Sequence, residues 1–230
     1  MANIFLVTVL TSVLALIVLW IYFFIYSYRH REGFPWGFSL IFIGLFLTGA
    51  RYRIYDNQVE VFAIDFSLIV SLIGILWNVN NIRGQFHFRD KGEIIRLTGI
   101  GLVSGLLLGI FFILAQGTQH FQVDPRFTIT TYIASSIQAS ISEELLFRGY
   151  LLSYLRTYKV NPIFSVIFQA LMFAVLHIPR YPGNWVAIFI AFLAGWIAGY
   201  ITWKSNNLIP ALILHIVFNL IVVAWWLAIA

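Results

Sequence analysis

Ser142-Glu143-Glu144-Leu145-Leu146-Phe147-Arg148-Gly149 lies inside a largely apolar run that begins at Ile129 and continues through Leu155. A charged side chain near the centre of a bilayer costs about 2.5–3.5 kcal/mol even on the milder insertion scales. Glu143, Glu144 and Arg148 therefore need partners inside the protein, and ionisable groups at such a depth mark a functional site by default. The implied fold is all-α: a polytopic transmembrane helical bundle of about eight spans, with a polar site buried inside it.

The composition agrees. Of 230 residues, 61% are hydrophobic and 10% charged, with a mean hydropathy of +0.90; soluble domains carry about 25% charge. Residues 1–230 read as a single integral membrane domain, with N-terminal spans over 1–125 and a motif-bearing core over 127–222. Lys and Arg outnumber Asp and Glu by 14 to 9. In so apolar a chain this excess reflects topology and lipid headgroups, not nucleic acid. Absence of cysteine excludes disulfides, thiol catalysis and Cys-based metal sites. The 8 Trp and 11 Tyr suit interfacial belts. The apolar stretch 3–26 is too long for a signal-peptide core and has no basic segment before it, so it reads as a retained first span. No lipidation motif is present.

A span needs about 20 apolar residues. Candidates are 3–26, 34–50, 59–78, 95–115, 129–155, 162–178, 185–203 and 208–229. Asn161-Pro162 is a helix start, with Asn as cap and Pro at the first position. Pro179 and Pro182-Gly183-Asn184 form one turn, and Lys204-Ser205-Asn206-Asn207 another. With eight spans, the inner loops hold Arg29, Arg31, Arg83, Arg89, Lys91, Arg156, Lys159 and Lys204. The outer loops hold Arg51, Arg53, Arg126 and Arg180, so the positive-inside rule puts both termini outside.

Glu144 and Arg148 are four residues apart and share a helix face, where they are expected to pair. Glu143, rotated by about 100°, points to a different neighbour and is the carboxylate available for chemistry. His177 closes the 162–178 span. His215 and Asn219 stand four apart on one face of the last span, either as functional groups or as interhelical hydrogen-bonding residues. Counting about 1.5 Å per residue, Glu143 and His177 lie about 20 and 24 Å from the 156–161 loop. His215 lies about 12 Å from the 204–207 loop on the same side. All three fall at hydrocarbon depth and converge if the helices bundle. A carboxylate, two imidazoles and an amide suggest hydrolysis. The carboxylate takes a proton from water, a His shares that water or protonates the leaving group, and a His with an Asn stabilises an oxyanion. Alternatively Glu143, His177 and His215 bind Zn²⁺ together with water. Asp65 and Glu60 in the third span have no assigned role, and His30, His87 and His120 read as loop residues.

Glu143-Glu144-x-x-x-Arg148, Phe173-x-x-x-His177 and His215-x-x-x-Asn219, in this order on three spans, resemble the three motifs of the CPBP family, the CAAX proteases and bacteriocin-processing enzymes also called the Abi family. The resemblance covers about 129–222. It implies an intramembrane endopeptidase in which Glu143 activates water beside His177. His215 and Asn219 form the oxyanion site, and Glu144 and Arg148 support them. A metal-free glutamate mechanism is the favoured version, with zinc as the alternative. The lack of an organelle-targeting signal suggests a bacterial-type member in the plasma membrane. Its expected substrate is a small membrane-associated peptide, a leader peptide or a membrane-protein segment, without prenylation. A non-catalytic self-immunity or scaffolding protein using the same polar cluster, and a proton-relay transporter, are the competing readings.

Overall fold

The computed structural model describes residues 90–116, 129–157, 159–178, 181 and 183–229. All regular elements among them are helices: α1 Lys91–Gln116, α2 Ile129–Glu144, a π-helical segment Leu145–Leu151, α3 Leu152–Thr157, α4 Pro162–His177, α5 Trp185–Ser205 and α6 Ile209–Ile229. The expected spans at 3–26, 34–50 and 59–78, together with Glu60, Asp65, His30, His87 and His120, lie outside the described residues. Two compact units divide the chain. Residues 174–184 fall in one, and residues 90–116, 129–157, 159–173 and 185–229 in the other.

The later span boundaries agree closely with the sequence reading, and local chemistry explains the ends. Asp90 accepts the Glu93 N–H at 2.8 Å, a cap that starts α1 four residues ahead of its expected apolar start. Asn161 Oδ1 accepts the N–H groups of Ile163 and Phe164 at 2.9 and 3.2 Å, with Pro162 at the first helical position. Asn207 Oδ1 accepts the Ile209 N–H at 2.9 Å to open α6. Asn206, at φ 51°, takes the left-handed conformation that ends α5.

At 26, 21 and 21 residues, α1, α5 and α6 are long and apolar enough to cross a membrane. The shorter α4 is also apolar. The 129–155 span is not one regular helix. Its middle widens into a π-helical turn in which the N–H of Leu152 donates to the Phe147 carbonyl, five residues back.

Small residues pack inward and large apolar ones outward, as expected where lipid replaces water. On α1, Gly101, Gly105 and Gly109 are buried while Val103, Leu107 and Leu114 are exposed. An added Cβ at Gly101 would fall 2.5 Å from the Pro210 carbonyl oxygen, one at Gly105 would fall 2.6 Å from that of Leu214, and one at Gly109 would fall 2.9 Å from Ile221 Cγ2. Thus α1 and α6 run parallel with their backbones nearly touching. Leu108, Ala194, Ala198, Ala211 and Leu214 join α1, α5 and α6 in a common core. This packing fixes the height and rotation of the residue after Leu214, which is His215.

Candidate active site

The pair Glu144–Arg148 forms as expected. Arg148 Nη1 donates to Glu144 Oε1 at 2.6 Å, and both side chains are 1% exposed. Arg148 Nη2 reaches across to the Gly195 carbonyl on α5 at 3.3 Å. The guanidinium lies 4.5 Å from the centroid of the Phe173 ring. That ring meets His215 edge-on at 5.6 Å. Arg148 is therefore held by a carboxylate, a helical carbonyl and an aromatic face.

Glu144 Oε1 has a second partner, which the sequence reading missed. His215 Nδ1 lies 2.8 Å from it, while His215 Nε2 lies 3.9 Å from Glu143 Oε2. The expectation that Glu143 and Glu144 point to different neighbours is corrected here: both address the same imidazole. The reason is geometric. The ring of His215 enters beside α2 where the two carboxylates succeed one another, and its two nitrogens offer each of them one edge. Glu143, Glu144 and His215 are all buried. With Glu144 bound to Arg148, the assignment that fits is Nδ1–H donating to Glu144. Nε2 then faces Glu143.

Asn219, one helical turn beyond His215, also turns to α2. Its Nδ2 donates to Ser140 Oγ at 2.9 Å, and Ser140 Oγ in turn donates to the Ser136 carbonyl at 2.8 Å. The same Nδ2 also reaches the Ser136 carbonyl at 3.5 Å, a longer bond than the one to Ser140. His177 ends α4 in the other compact unit. Its ring stacks on Tyr181 at 6.4 Å between centroids, and its carbonyl accepts the Tyr181 N–H at 3.1 Å.

Sequence reasoning also passed over Ser140 and Gln169, both fully buried. Gln169 Nε2 donates to the Gly195 carbonyl at 2.7 Å and to the Val166 carbonyl at 3.0 Å. The signal was available. Gln169 is a lone amide in an apolar helix, four residues before Phe173, and the reasoning that marked His215 and Asn219 applies to it equally. Among the described residues no group of three His, Asp or Glu side chains is arranged to hold a metal ion.

Residues 125–221 match the family model described as type II CAAX prenyl endopeptidase Rce1-like. The match includes Glu143, Glu144, Arg148, His177, His215 and Asn219. A curated protein, Sporulation-killing factor biosynthesis protein SkfC of Bacillus subtilis (strain 168), is 26% identical over 159 residues, covering 63% of this chain and 32% of its own. The chain thus spans about a third of the length of that relative. No solved structure matches.

Proposed function

We propose, from the premise that this chain belongs through residues 125–221 to the CPBP family of CAAX proteases, that it is an intramembrane endopeptidase using Glu143 as base and His215 as the donor facing it. The chain is an integral membrane protein of that protease family. The observation that carries the finer reading is the shared oxygen of Glu144, which grips Arg148 on one side and His215 Nδ1 on the other. A carboxylate already neutralised by a buried arginine serves as a fixed anchor for the imidazole. It leaves Nε2 as the working nitrogen, aimed at the second carboxylate.

In the proposed reaction Glu143 takes a proton from water as the water oxygen bonds to the scissile carbonyl carbon. The charge gathering on the carbonyl oxygen is met by Nε2–H of doubly protonated His215 and by the Asn219 N–H that exchanges its long 3.5 Å bond to the Ser136 carbonyl for the oxyanion. With His215 in that form, two carboxylates face two cations and the buried cluster is neutral. Glu143 then delivers its proton to the leaving nitrogen as the C–N bond breaks, giving a carboxylic acid and an amine. The family resemblance, through the motif Phe173-x-x-x-His177, implies His177 as a further group acting on the water.

The proposed substrate is a small membrane-associated peptide or leader peptide. A relative named for biosynthesis of a sporulation-killing factor supports maturation of such a factor. The test incubates the purified protein in nanodiscs with a proteome-derived peptide library and with farnesylated CAAX peptides, reading new termini by mass spectrometry. Cleavage by wild type, lost in Glu143→Gln and retained with a chelator, is expected. Loss with the chelator as well would favour the zinc version. No cleavage of any peptide, with Glu143→Gln still active in the host cell, would leave the immunity or scaffolding reading.

A further inference from the structure

Arg148 and Gln169 come from different helices and donate to the same atom, the Gly195 carbonyl oxygen. As a helical carbonyl this oxygen also receives the N–H of residue 199. Three donors on one oxygen make it a negatively polarised point, and both approaching side chains are fully buried.

The sequence is shaped around this point. An added Cβ at Gly195 would lie 3.1 Å from Ala170 Cα, so α4 and α5 approach closely there. One turn on, a Cβ at Gly199 would overlap the Gln169 amide itself. The amide of Gln169 therefore occupies a slot that only glycine leaves open. Phe173, one turn further along α4, supplies the ring beneath the guanidinium. Residues 169 and 173 thus form one face of α4 that seats Arg148.

We infer that Gln169 is a positioning residue for catalysis: by tethering the Gly195 carbonyl it fixes Arg148, which fixes Glu144 and through it the His215 ring. The inference rests on the endopeptidase reading for its effect on rate, while the seat itself is read without any substrate. Gln169 touches no reacting atom. Its influence passes along a chain of contacts, Gln169 Nε2 to Gly195 O, Gly195 O to Arg148 Nη2, Arg148 Nη1 to Glu144 Oε1, and Glu144 Oε1 to His215 Nδ1. Each link is between buried groups, where a lost partner is costly.

Two variants test this in the full chain in nanodiscs. Gln169→Met keeps length and volume but removes the donor. Gly199→Ala keeps the glutamine and displaces its amide, the flexible end of a side chain, so the helices need not move. The first readout is the pair of ¹⁵N imidazole resonances of His215, identified by their loss in His215→Gln. The second is kcat and KM on the peptide that the library assay finds cleaved fastest. Both variants are expected to shift the His215 resonances and to lower kcat about ten-fold or more with KM within about two-fold, since small misplacements of reacting groups are costly. Wild-type His215 resonances and wild-type kcat in either folded variant would overturn the inference. Full cleavage by Glu143→Gln would sink the endopeptidase reading instead, and the imidazole resonances would still decide whether Gln169 seats Arg148.

Discussion

Glu144 shows why one residue can matter more than its chemistry suggests. Its Oε1 serves two buried cations or potential cations, Arg148 at 2.6 Å and His215 at 2.8 Å. Removing Arg148 leaves Glu144 and Glu143 to share the single imidazole of His215, and breaking a buried pair costs about 3–5 kcal/mol. Arg148→Ala is therefore expected to lower the midpoint of SDS-induced unfolding strongly, by about that free energy. Arg148→Lys keeps the charge but lacks the fork that reaches Glu144 and Gly195 together. It is expected to remain folded, with peptide cleavage reduced about ten-fold or more. Equal stability and equal activity of both variants and wild type would show the pair to be dispensable. Ser140→Ala removes the acceptor of Asn219 and is expected to cost about 0.5–1.5 kcal/mol in the same unfolding assay. At this scale the sequence was legible wherever a polar residue interrupts an apolar helix at a recognisable spacing, as with Glu144 and Arg148 or His215 and Asn219. What it hid was the sharing. That one oxygen of Glu144 binds residues 4 and 71 positions away depends on how α6 lies against α2, and no local pattern encodes that.

Among the helices, α1 shows how packing reaches the site from a distance. Gly101, Gly105 and Gly109 repeat every four residues and line one face. The repeat stands openly in the sequence, yet hydropathy analysis sees only an apolar span, because it weighs side chains and here the information lies in their absence. The site feels this stripe through α6. An alanine at position 105 would bring its Cβ within 2.6 Å of the Leu214 carbonyl oxygen, a backbone atom of the residue before His215. Backbone cannot swing aside as a side chain can. Gly105→Ala is therefore expected to cost about 1–3 kcal/mol as an overpacked contact and to reduce cleavage as α6 shifts. Gly99→Ala is the control: nothing lies within 4 Å of its added Cβ, and the better helix propensity of alanine is worth up to about 1 kcal/mol. Measured side by side in the unfolding assay, the two substitutions should move the midpoint in opposite directions. A stabilising Gly105→Ala would mean that the two helices do not meet there. The π-helical turn at Leu145–Leu151 is a second feature of this scale. Such turns concentrate at functional sites, and this one follows directly on the glutamate pair. Its sequence carries Arg148 and Gly149, but neither residue by itself announces a π-helical turn.

At the largest scale described, packing gathers the basic residues at one end of the larger compact unit. Arg156 Nη2 donates to the Trp203 carbonyl at 2.6 Å, and its other nitrogen bonds Asn206, so the end of α3 meets the end of α5. Gly101 and Gly105 lie against Pro210 and Leu214, so α1 starts at the end where α6 starts. Lys91, Arg156, Lys159 and Lys204 consequently share one end of this unit, and the far ends of α1 and α6, at Gln116 and Ile229, carry no charge among the described residues. The positive-inside rule assigns the basic end to the cytoplasm. This was the arrangement reached from loop charges alone for these four residues, because Asn161-Pro162 and Lys204-Ser205-Asn206-Asn207 mark in the sequence the same helix ends that the structure shows. The absence of cysteine makes the arrangement directly testable, since each introduced thiol is the only one. Lys91→Cys, Lys159→Cys and Lys204→Cys are expected to react with a membrane-impermeant maleimide in inverted vesicles and to stay unlabelled in right-side-out ones. Ala228→Cys is expected to do the reverse. Labelling of positions 159 and 204 from opposite sides would break the antiparallel passage of α4 and α5. It would also separate Arg156 from Trp203, and with them the α4–α5 pairing that carries Gln169, Gly195 and the seat of Arg148.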